Sequence, residues 1–335
     1  MIMKRAIIVA LVLVCVAPAL LASEASEANG TGVSSSRIGG SLLELYGRMQ
    51  QGTVVLWPFA VSVVLLIAAT AASSRVMRTV GLAIFAVATG GLVIAFAVRW
   101  AISARPWYLP PIMNQFGAVM ASAMLAAAAA LVLEAVYRRN YFAIAAGLYA
   151  SVATLAGMMF PGAMGAQTSV THGILESPIM AAHVAVIIIG HAMAGMTLVI
   201  SVVYLVVAGV AVARGTPPES SPADLSEPAA GGAMAAIDRC NLIVAQIAVW
   251  TIVVGTMLGA YWADHAWGRW WGWDPKETWA LMTALVYVVV LHIRFVAPPR
   301  YRGVLTSAGC IFGCFAMLFN WIVVNYFLVG LHSYA

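Results

Sequence analysis

Long apolar segments, each with few or no charged side chains, are the feature that most constrains what this chain can fold into. A segment of roughly 20 such residues can cross a lipid bilayer as a helix. They lie near residues 53–72, 79–98, 116–136, 141–159, 179–213, 239–262, 277–296 and 303–330. Since 63% of the chain is hydrophobic and 9% is charged, a single water-soluble core could not hide this much apolar surface. We therefore predict an all-α, polytopic integral membrane protein with about eight transmembrane helices.

The beginning of the chain has the pattern of a secretory leader. Lys4 and Arg5 precede an apolar run, which ends in the polar, small-residue stretch SEASEA. This order is typical of a signal peptide, so we expect residues 1–25 to be a signal peptide or a retained anchor. Residues 30–52 would then form an outer N-terminal segment, and residues 53–335 would form the membrane domain.

The basic residues favour one orientation of these helices in the membrane. If the first span begins outside, the inner connections carry Arg75, Arg78, Arg138, Arg139, Arg214, Arg300 and Arg302. The outer connections carry fewer cations, as the positive-inside rule requires. Residues 214–238, rich in proline, serine and acidic side chains, are expected to be a flexible cytoplasmic linker. The basic residues form no cluster or motif typical of nucleic-acid binding, so no nucleic-acid partner is expected.

One outer connection holds six of the chain's 11 tryptophans, in the sequence WADHAWGRWWGWDPKETW. We call residues 262–279 the tryptophan segment. An aromatic belt at the lipid interface is the simplest interpretation. The interspersed glycines and fixed charges instead favour a surface for a large, flat, amphiphilic ligand, whose rings stack and whose acid groups bind cations. Asp274, Pro275 and Glu277 also have the spacing of a capping box at the start of a helix.

The tryptophan segment resembles the WWD signature of the haem-handling proteins of cytochrome c biogenesis. The matching residues are Trp262, Trp267, Gly268, Trp271, Trp273, Asp274, Pro275, Lys276, Glu277, Thr278, Trp279, Ala280 and Leu281. Outside it, the resemblance to the system II branch, the CcsA/ResC type, rests on Arg99-Trp100, Pro111, Asn114, Leu175, Ser177, His183-Val184 and the closing residues 330–334. Phe116 and Gly117 stand where that family carries an acid, and His191 and His265 are extra histidines.

The resemblance implies a role for several residues. His183 and His332, at the outer ends of their spans, would be the axial ligands of haem iron at an outer site. His292 lies about 26 Å along an ideal helix that starts near Pro275, and the resemblance makes it the ligand of an inner haem site. Haem b would be the transported substrate. Trp262, Trp267, Trp271 and Trp273, with Asp274, Arg269 and Lys276, would contact it. We expect His172 and His265 to be loop residues and His191 to be a possible relay ligand.

The resemblance also implies a function and its partners. The protein would convey haem to the outer face of a bacterial-type inner membrane, or of an equivalent energy-transducing membrane. There it would present haem for thioether attachment to the CxxCH segment of apocytochrome c. A CcsB/ResB-type membrane partner would complete the haem lyase complex, of which this chain would be a subunit, and a thiol-reducing system would support it. Two alternatives remain open: system I-type haem delivery to a chaperone, and a membrane b-type cytochrome in quinone-linked electron transfer.

Overall fold

The computed structural model describes residues 53–103, 108–160, 175–223, 225 and 231–331. Within these ranges the chain forms eight helices. They are α1 (Thr53–Ala71), α2 (Arg75–Ile102), α3 (Gln115–Tyr137), α4 (Tyr141–Met159), α5 (Pro178–Ala213), α6 (Ala233–Trp267), α7 (Pro275–Val296) and α8 (Pro299–Phe319). After α8 the chain continues as a π-helical turn, Asn320–Val324, and a last helical turn, Asn325–Phe327. The expected leader and outer N-terminal segment lie outside the described residues.

The prediction of an all-α membrane protein is confirmed. Helices α2 to α7, and α8 together with the turns that follow it, are long and apolar enough to cross a membrane. The apolar part of α1, Val55–Ala71, is shorter than the other seven. The chain divides into two compact units, residues 1–181 and residues 182–335.

In the first unit, α1 packs on α2 and α4, and α3 packs on α4. Glu134, which is buried near the end of α3, links these helices. One of its carboxylate oxygens accepts a hydrogen bond from the backbone N–H of Asn140 at 2.8 Å, and the other accepts from that of Phe142 at 3.1 Å. Arg78 of α2 pairs with Glu134 at 3.5 Å and donates to the Asn140 side chain at 2.7 Å. The carboxylate therefore satisfies backbone donors that the start of α4 would otherwise leave unpaired.

In the second unit, α7 packs on α6 and α8, and glycines bring α5 close to α6. A Cβ added at Gly190 would lie 3.1 Å from the backbone nitrogen of Ile252. One added at Gly255 would lie 3.0 Å from that of Ile187. Small residues at such crossings allow close backbone approach, which is the usual basis of helix packing inside a membrane.

A buried ion pair joins α6 and α7 at the end of this unit opposite the tryptophan segment. The guanidinium of Arg294 donates to both carboxylate oxygens of Asp238, at 2.8 and 2.9 Å, and both side chains are fully buried. Arg294 also donates to the carbonyl oxygens of Ser221 and Pro222. Helix α6 begins at Ala233, inside the range expected to be a flexible linker, and the part near Ser221 is held against Arg294. The linker prediction missed this contact because its composition alone resembles a disordered segment.

We expect Asp238→Asn to destabilise the protein strongly, because it leaves the buried Arg294 guanidinium without its counter-charge. Removing one partner of a buried ion pair costs about 3 to 5 kcal/mol. Thermal unfolding of the detergent-purified protein measures the effect. Arg239→Ala is the matched control, since Arg239 is the next residue and donates to the Leu225 carbonyl at 2.6 Å rather than to the buried pair. Equal melting temperatures for the two variants would contradict this role of the ion pair.

Candidate functional site

The tryptophan segment begins within the last turns of α6 and leaves that helix through a glycine. Gly268 adopts a left-handed conformation with φ of +69°, and its N–H donates to the Asp264 carbonyl at 2.8 Å. This is the usual way in which glycine ends a helix, because it has no Cβ to oppose that conformation. The chain then turns through residues 268–274 before α7 begins at Pro275.

The start of α7 is the capping box predicted from the sequence. The Asp274 side chain accepts from the Lys276 N–H at 3.1 Å, and the Glu277 carboxylate accepts from the Asp274 N–H at 3.2 Å. Glu277 also accepts from the Gly272 N–H at 2.8 Å, so the same carboxylate holds the preceding loop. Asp274 is 6% exposed. Both acidic side chains therefore stabilise the start of α7, and Glu277 also stabilises the loop that precedes it.

The tryptophans of the segment form two edge-to-face pairs. Trp262 and Trp267 have ring centroids 4.9 Å apart, and those of Trp271 and Trp273 are 5.9 Å apart. Trp262 is 3% exposed, so it packs against Trp267 and offers little surface to a ligand. Trp273 is 71% exposed, although its backbone has a φ of +57°. A bulky residue in the left-handed region is an outlier that its surroundings must hold in place, and such outliers cluster at functional sites.

Sequence reasoning missed Trp270 as a member of this aromatic surface. It is 54% exposed, and its ring lies 5.7 Å from that of Tyr261 in α6. The adjacent pair Trp270-Trp271 carried a usable signal, because consecutive tryptophans outside a helix must point in different directions. The exposed aromatic surface therefore includes Trp270 as well as Trp273.

The two cations of the segment differ in their surroundings. The exposed guanidinium of Arg269 folds over Gly272, where any Cβ would overlap it. The ammonium of Lys276 instead donates to the side-chain oxygen of Asn325 at 2.7 Å, just after the π-helical turn. Arg269 is thus available to an external anion, whereas Lys276 ties the start of α7 to the last helix.

His183, in the first turns of α5, lies against α6 close to the tryptophan segment. Its Nδ1 is 2.7 Å from the Gly255 carbonyl oxygen, which can only accept a hydrogen bond. Nδ1 therefore carries the proton, and Nε2 carries the lone pair. The ring packs on Gly259, where a Cβ would lie 2.8 Å from Nδ1. Since Gly259 precedes Trp262 by less than one helical turn, α6 brings this imidazole beside the base of the segment.

The residues that follow α8 are hydrogen-bonded to the same segment. The N–H of Leu331 donates to Oδ1 of Asp274 at 2.6 Å. His332, the next residue, lies outside the described residues, as does His172.

His292 occupies a different surface, in the second half of α7. Its side chain is exposed, and its Nδ1 lies 2.8 Å from the Val288 carbonyl oxygen of the preceding turn. As with His183, this bond leaves the lone pair on Nε2. Its helical neighbours Val289 and Phe295 are also exposed, at 57% and 71%.

A family model for the cytochrome c assembly proteins matches residues 50–333. The chain belongs to the cytochrome c assembly protein family. The resemblance to the proteins of cytochrome c biogenesis, which the sequence predicted, is thereby confirmed at the level of the family.

Several curated relatives are similar over part of the chain. CcsA, a cytochrome c biogenesis protein of Prochlorococcus marinus (strain NATL1A), is 47% identical over 83 residues, which are 25% of this chain and 26% of the relative. CcsA of Synechococcus sp. (strain RCC307) is 37% identical over 35% of this chain and 34% of its own length. Protein NrfI of Wolinella succinogenes is 38% identical over 30% of this chain and 11% of its own length. The matched stretches thus span at most about a third of these relatives.

A solved structure, the cytochrome c haem lyase CcmF, shares the fold. The superposition has a TM-score of 0.53 and a sequence identity of 17%, and it covers 84% of this chain and 49% of the other.

The structure also describes two further histidines of this cytochrome c assembly protein, His191 and His265. His265 lies in the last turn of α6, so its expected position in a loop is wrong; its Nδ1 donates to the Tyr261 carbonyl at 2.9 Å. His191 is buried, and its ring meets the edge of Trp321 at 4.9 Å. Among the described residues, its Nδ1 has no hydrogen-bond partner. The role of His191 as a relay ligand stays a prediction.

Phe116 and Gly117, at the start of α3, are closely packed in the first unit. The Arg99 guanidinium lies 4.9 Å from the centre of the Phe116 ring, which is a cation–π distance. A Cβ at Gly117 would overlap the Pro111 carbonyl oxygen. The backbone therefore leaves no room for a larger residue at 117.

Proposed function

We propose that this chain binds haem at the tryptophan segment, on the outer side of an energy-transducing membrane, and presents it for attachment to apocytochrome c. The observation that carries the proposal is a convergence around one segment. The His183 ring packs on Gly259, less than one helical turn before Trp262, and the N–H of Leu331 is bonded to Asp274. Stretches from two distant parts of the sequence, next to the two expected iron ligands, thus lie at the tryptophan segment. Membership of the cytochrome c assembly family supports the same function.

Axial ligation is the first task of the site. A neutral imidazole binds iron through the nitrogen that carries the lone pair, and a hydrogen bond from the other nitrogen fixes that tautomer. The Nδ1 bond to the Gly255 carbonyl gives His183 this form. His332 would supply the second ligand from the opposite side of the porphyrin.

Holding the porphyrin is the second task. The exposed faces of Trp273 and Trp270 offer stacking area. Trp271 packs edge-to-face on Trp273, and Tyr261 packs on Trp270. The exposed Arg269 guanidinium is suited to a propionate, because it can donate two parallel hydrogen bonds to a carboxylate. Lys276 is less suited, since its ammonium already binds Asn325. Trp262 and Asp274 would support the site from below.

The attachment reaction needs no nucleophile from this chain. Each cysteine thiol of the CxxCH segment adds across a haem vinyl group: a C–S bond forms, and the thiol hydrogen ends on the neighbouring vinyl carbon. Both thiols must be reduced, which is the task of a separate thiol-reducing system. The protein contributes orientation, because fixing the vinyl groups against the thiols removes much of the entropic barrier.

The exposed face around His292 supports an inner haem site shared with a membrane partner. An ionisable side chain on a lipid-facing surface is costly, so a protein or ligand is expected to cover it. A CcsB/ResB-type partner would supply the opposite iron ligand there. The pair of proteins would then act as the haem lyase, with this chain as one subunit.

Substituting the tryptophans tests the proposed platform. Trp271→Phe and Trp273→Phe are each expected to weaken haem retention by roughly two- to tenfold, since a stacked ring contributes about 0.5 to 1.5 kcal/mol and phenylalanine has the smaller face. The measurement is haem titration of the purified complex, followed by its absorbance spectrum, together with cytochrome c maturation in cells.

Trp57→Phe is the matched control, because Trp57 is 64% exposed in α1, outside the tryptophan segment. It should insert, accumulate and bind haem like the unaltered protein. Small and equal effects at all three positions would contradict the platform and favour an aromatic belt at the lipid interface.

A further inference from the structure

The backbone of Trp273 has a conformation that a bulky residue rarely adopts. Its φ of +57° lies in the left-handed region, and its side chain is 71% exposed. In the described part of the chain, the other non-glycine residues with a positive φ are Ser73, Arg138 and Asn140, and none of them is aromatic. Since this conformation is costly for a tryptophan, it persists only where neighbouring groups stabilise it.

One carboxylate oxygen of Glu277 supplies that stabilisation. Its Oε2 accepts a hydrogen bond from the Gly272 N–H at 2.8 Å and another from the Asp274 N–H at 3.2 Å. These two donors belong to the residues before and after Trp273. A left-handed residue turns the N–H groups around it toward one side of the chain, where they form a concave anion-binding site known as a nest. Hydrogen bonds to a charged acceptor are stronger than those to a neutral one, so the carboxylate offsets the strain at Trp273.

Two neighbours therefore fix Trp273 in different ways. Glu277 lies in the first turn of α7, so a helix holds the carboxylate that binds the backbone on both sides of Trp273. The Trp271 ring packs on the indole itself, with ring centroids 5.9 Å apart and planes inclined by 88°. The backbone contact and the ring contact together give the exposed indole one defined direction.

We propose that Glu277 is a positioning residue for Trp273: its carboxylate stabilises the left-handed backbone that directs the exposed indole toward haem. This inference rests on the proposed function, in which Trp273 stacks on the porphyrin. Glu277 acts on haem through the loop, because its bound oxygen faces two backbone N–H groups. An indole that already has its binding direction loses less conformational entropy when the ligand arrives.

Two conservative substitutions separate the reach of the Glu277 side chain from its charge. Glu277→Gln keeps a side-chain oxygen at the same length but removes the negative charge. Glu277→Asp keeps the negative charge at the start of α7, where the helix dipole favours it, but the side chain is shorter by one methylene group. The shorter side chain cannot hold both N–H groups in their present positions. The proposal therefore expects the larger effect from Glu277→Asp, whereas a role in the helix dipole alone predicts the larger effect from Glu277→Gln.

Fluorine NMR of the full-length protein, labelled with fluorotryptophan and purified with its partner, measures the surroundings of Trp273 without haem. Trp273→Phe identifies its resonance, and the resonance of Trp57, which is exposed in α1, is the internal control. In Glu277→Asp the Trp273 resonance should shift or broaden while that of Trp57 stays unchanged. Glu277→Gln should leave both close to those of the unaltered protein. An unchanged Trp273 resonance in Glu277→Asp, or a larger change in Glu277→Gln, would overturn the proposal.

Haem titration of the same complex measures the consequence for binding. We expect Glu277→Asp to weaken haem binding by roughly two- to tenfold, as for the loss of one stacked ring. In a Trp273→Ala background, Glu277→Asp should have no further effect, because the indole that it directs is gone. Effects that multiply would overturn the proposal, since Glu277 would then act on haem by another route. If Trp273→Ala alone binds haem like the unaltered protein, the proposed function fails at this tryptophan. That failure is distinct from a failure of the backbone contact, because the fluorine spectra are recorded without haem.

Discussion

Replacing His183 with alanine is expected to empty the outer haem site and to abolish cytochrome c maturation. The substitution leaves the iron without one axial ligand, and the affinity should fall by at least roughly 10- to 100-fold, the range seen even for partners that only orient a ligand. His332→Ala should have the same effect from the opposite side of the porphyrin. In both variants, added imidazole should restore the absorbance spectrum by filling the vacant position. Haem titration of the complex purified with its partner measures the loss and the rescue.

His265→Ala is the control for the loss of a histidine at this end of the protein. Its ring is exposed, and its Nδ1 is bonded to a carbonyl of its own helix, so its removal should leave the outer site intact. If His183→Ala and His332→Ala both keep the unaltered haem spectrum and still mature cytochrome c, the ligand assignment is wrong. Stoichiometric haem that cycles reversibly between redox states, and that added apocytochrome does not remove, would instead favour a membrane b-type cytochrome.

The features that the sequence predicted well are those set by local chemistry. Eight apolar runs predicted eight helices, because a backbone in lipid must satisfy its own hydrogen bonds and a helix does so within one segment. The capping box at Asp274 and Glu277 was predictable for the same reason, since its bonds join residues only two and three apart.

The features that the sequence did not predict depend on contacts between distant residues. Trp262 belongs to the signature yet is buried, because only the crossing of packed helices decides which tryptophan faces outward. Ser221 is polar and lies in a proline-rich stretch, but the buried Arg294 holds it. Asp274 meets Leu331 across the whole length of α7 and α8. No spacing rule links such pairs, and their contacts become visible only in the folded chain.

His292 is exposed, so a substitution there tests how haem reaches the proposed outer site. Its side chain lies on an apolar face with Val289 and Phe295, and in a neutral imidazole its hydrogen bond through Nδ1 leaves the lone pair on Nε2. Histidine on such a face is expected to be covered by the partner rather than by lipid, since lipid solvates it poorly. A haem site formed at His292 between this chain and the proposed partner would receive haem before the tryptophan segment does.

His292→Ala is therefore expected to deprive the outer site of haem in cells while leaving its ligands competent. The complex purified from cells should contain little haem, yet haem added to the purified protein should bind at the outer site with the affinity of the unaltered complex. Val289→Ala is the matched control, because it shortens an exposed side chain on the same helix face without removing a ligand. Normal loading of the outer site in His292→Ala cells, without supplied haem, would contradict passage through the inner site. Haem would then have to enter the tryptophan segment directly from the outer side.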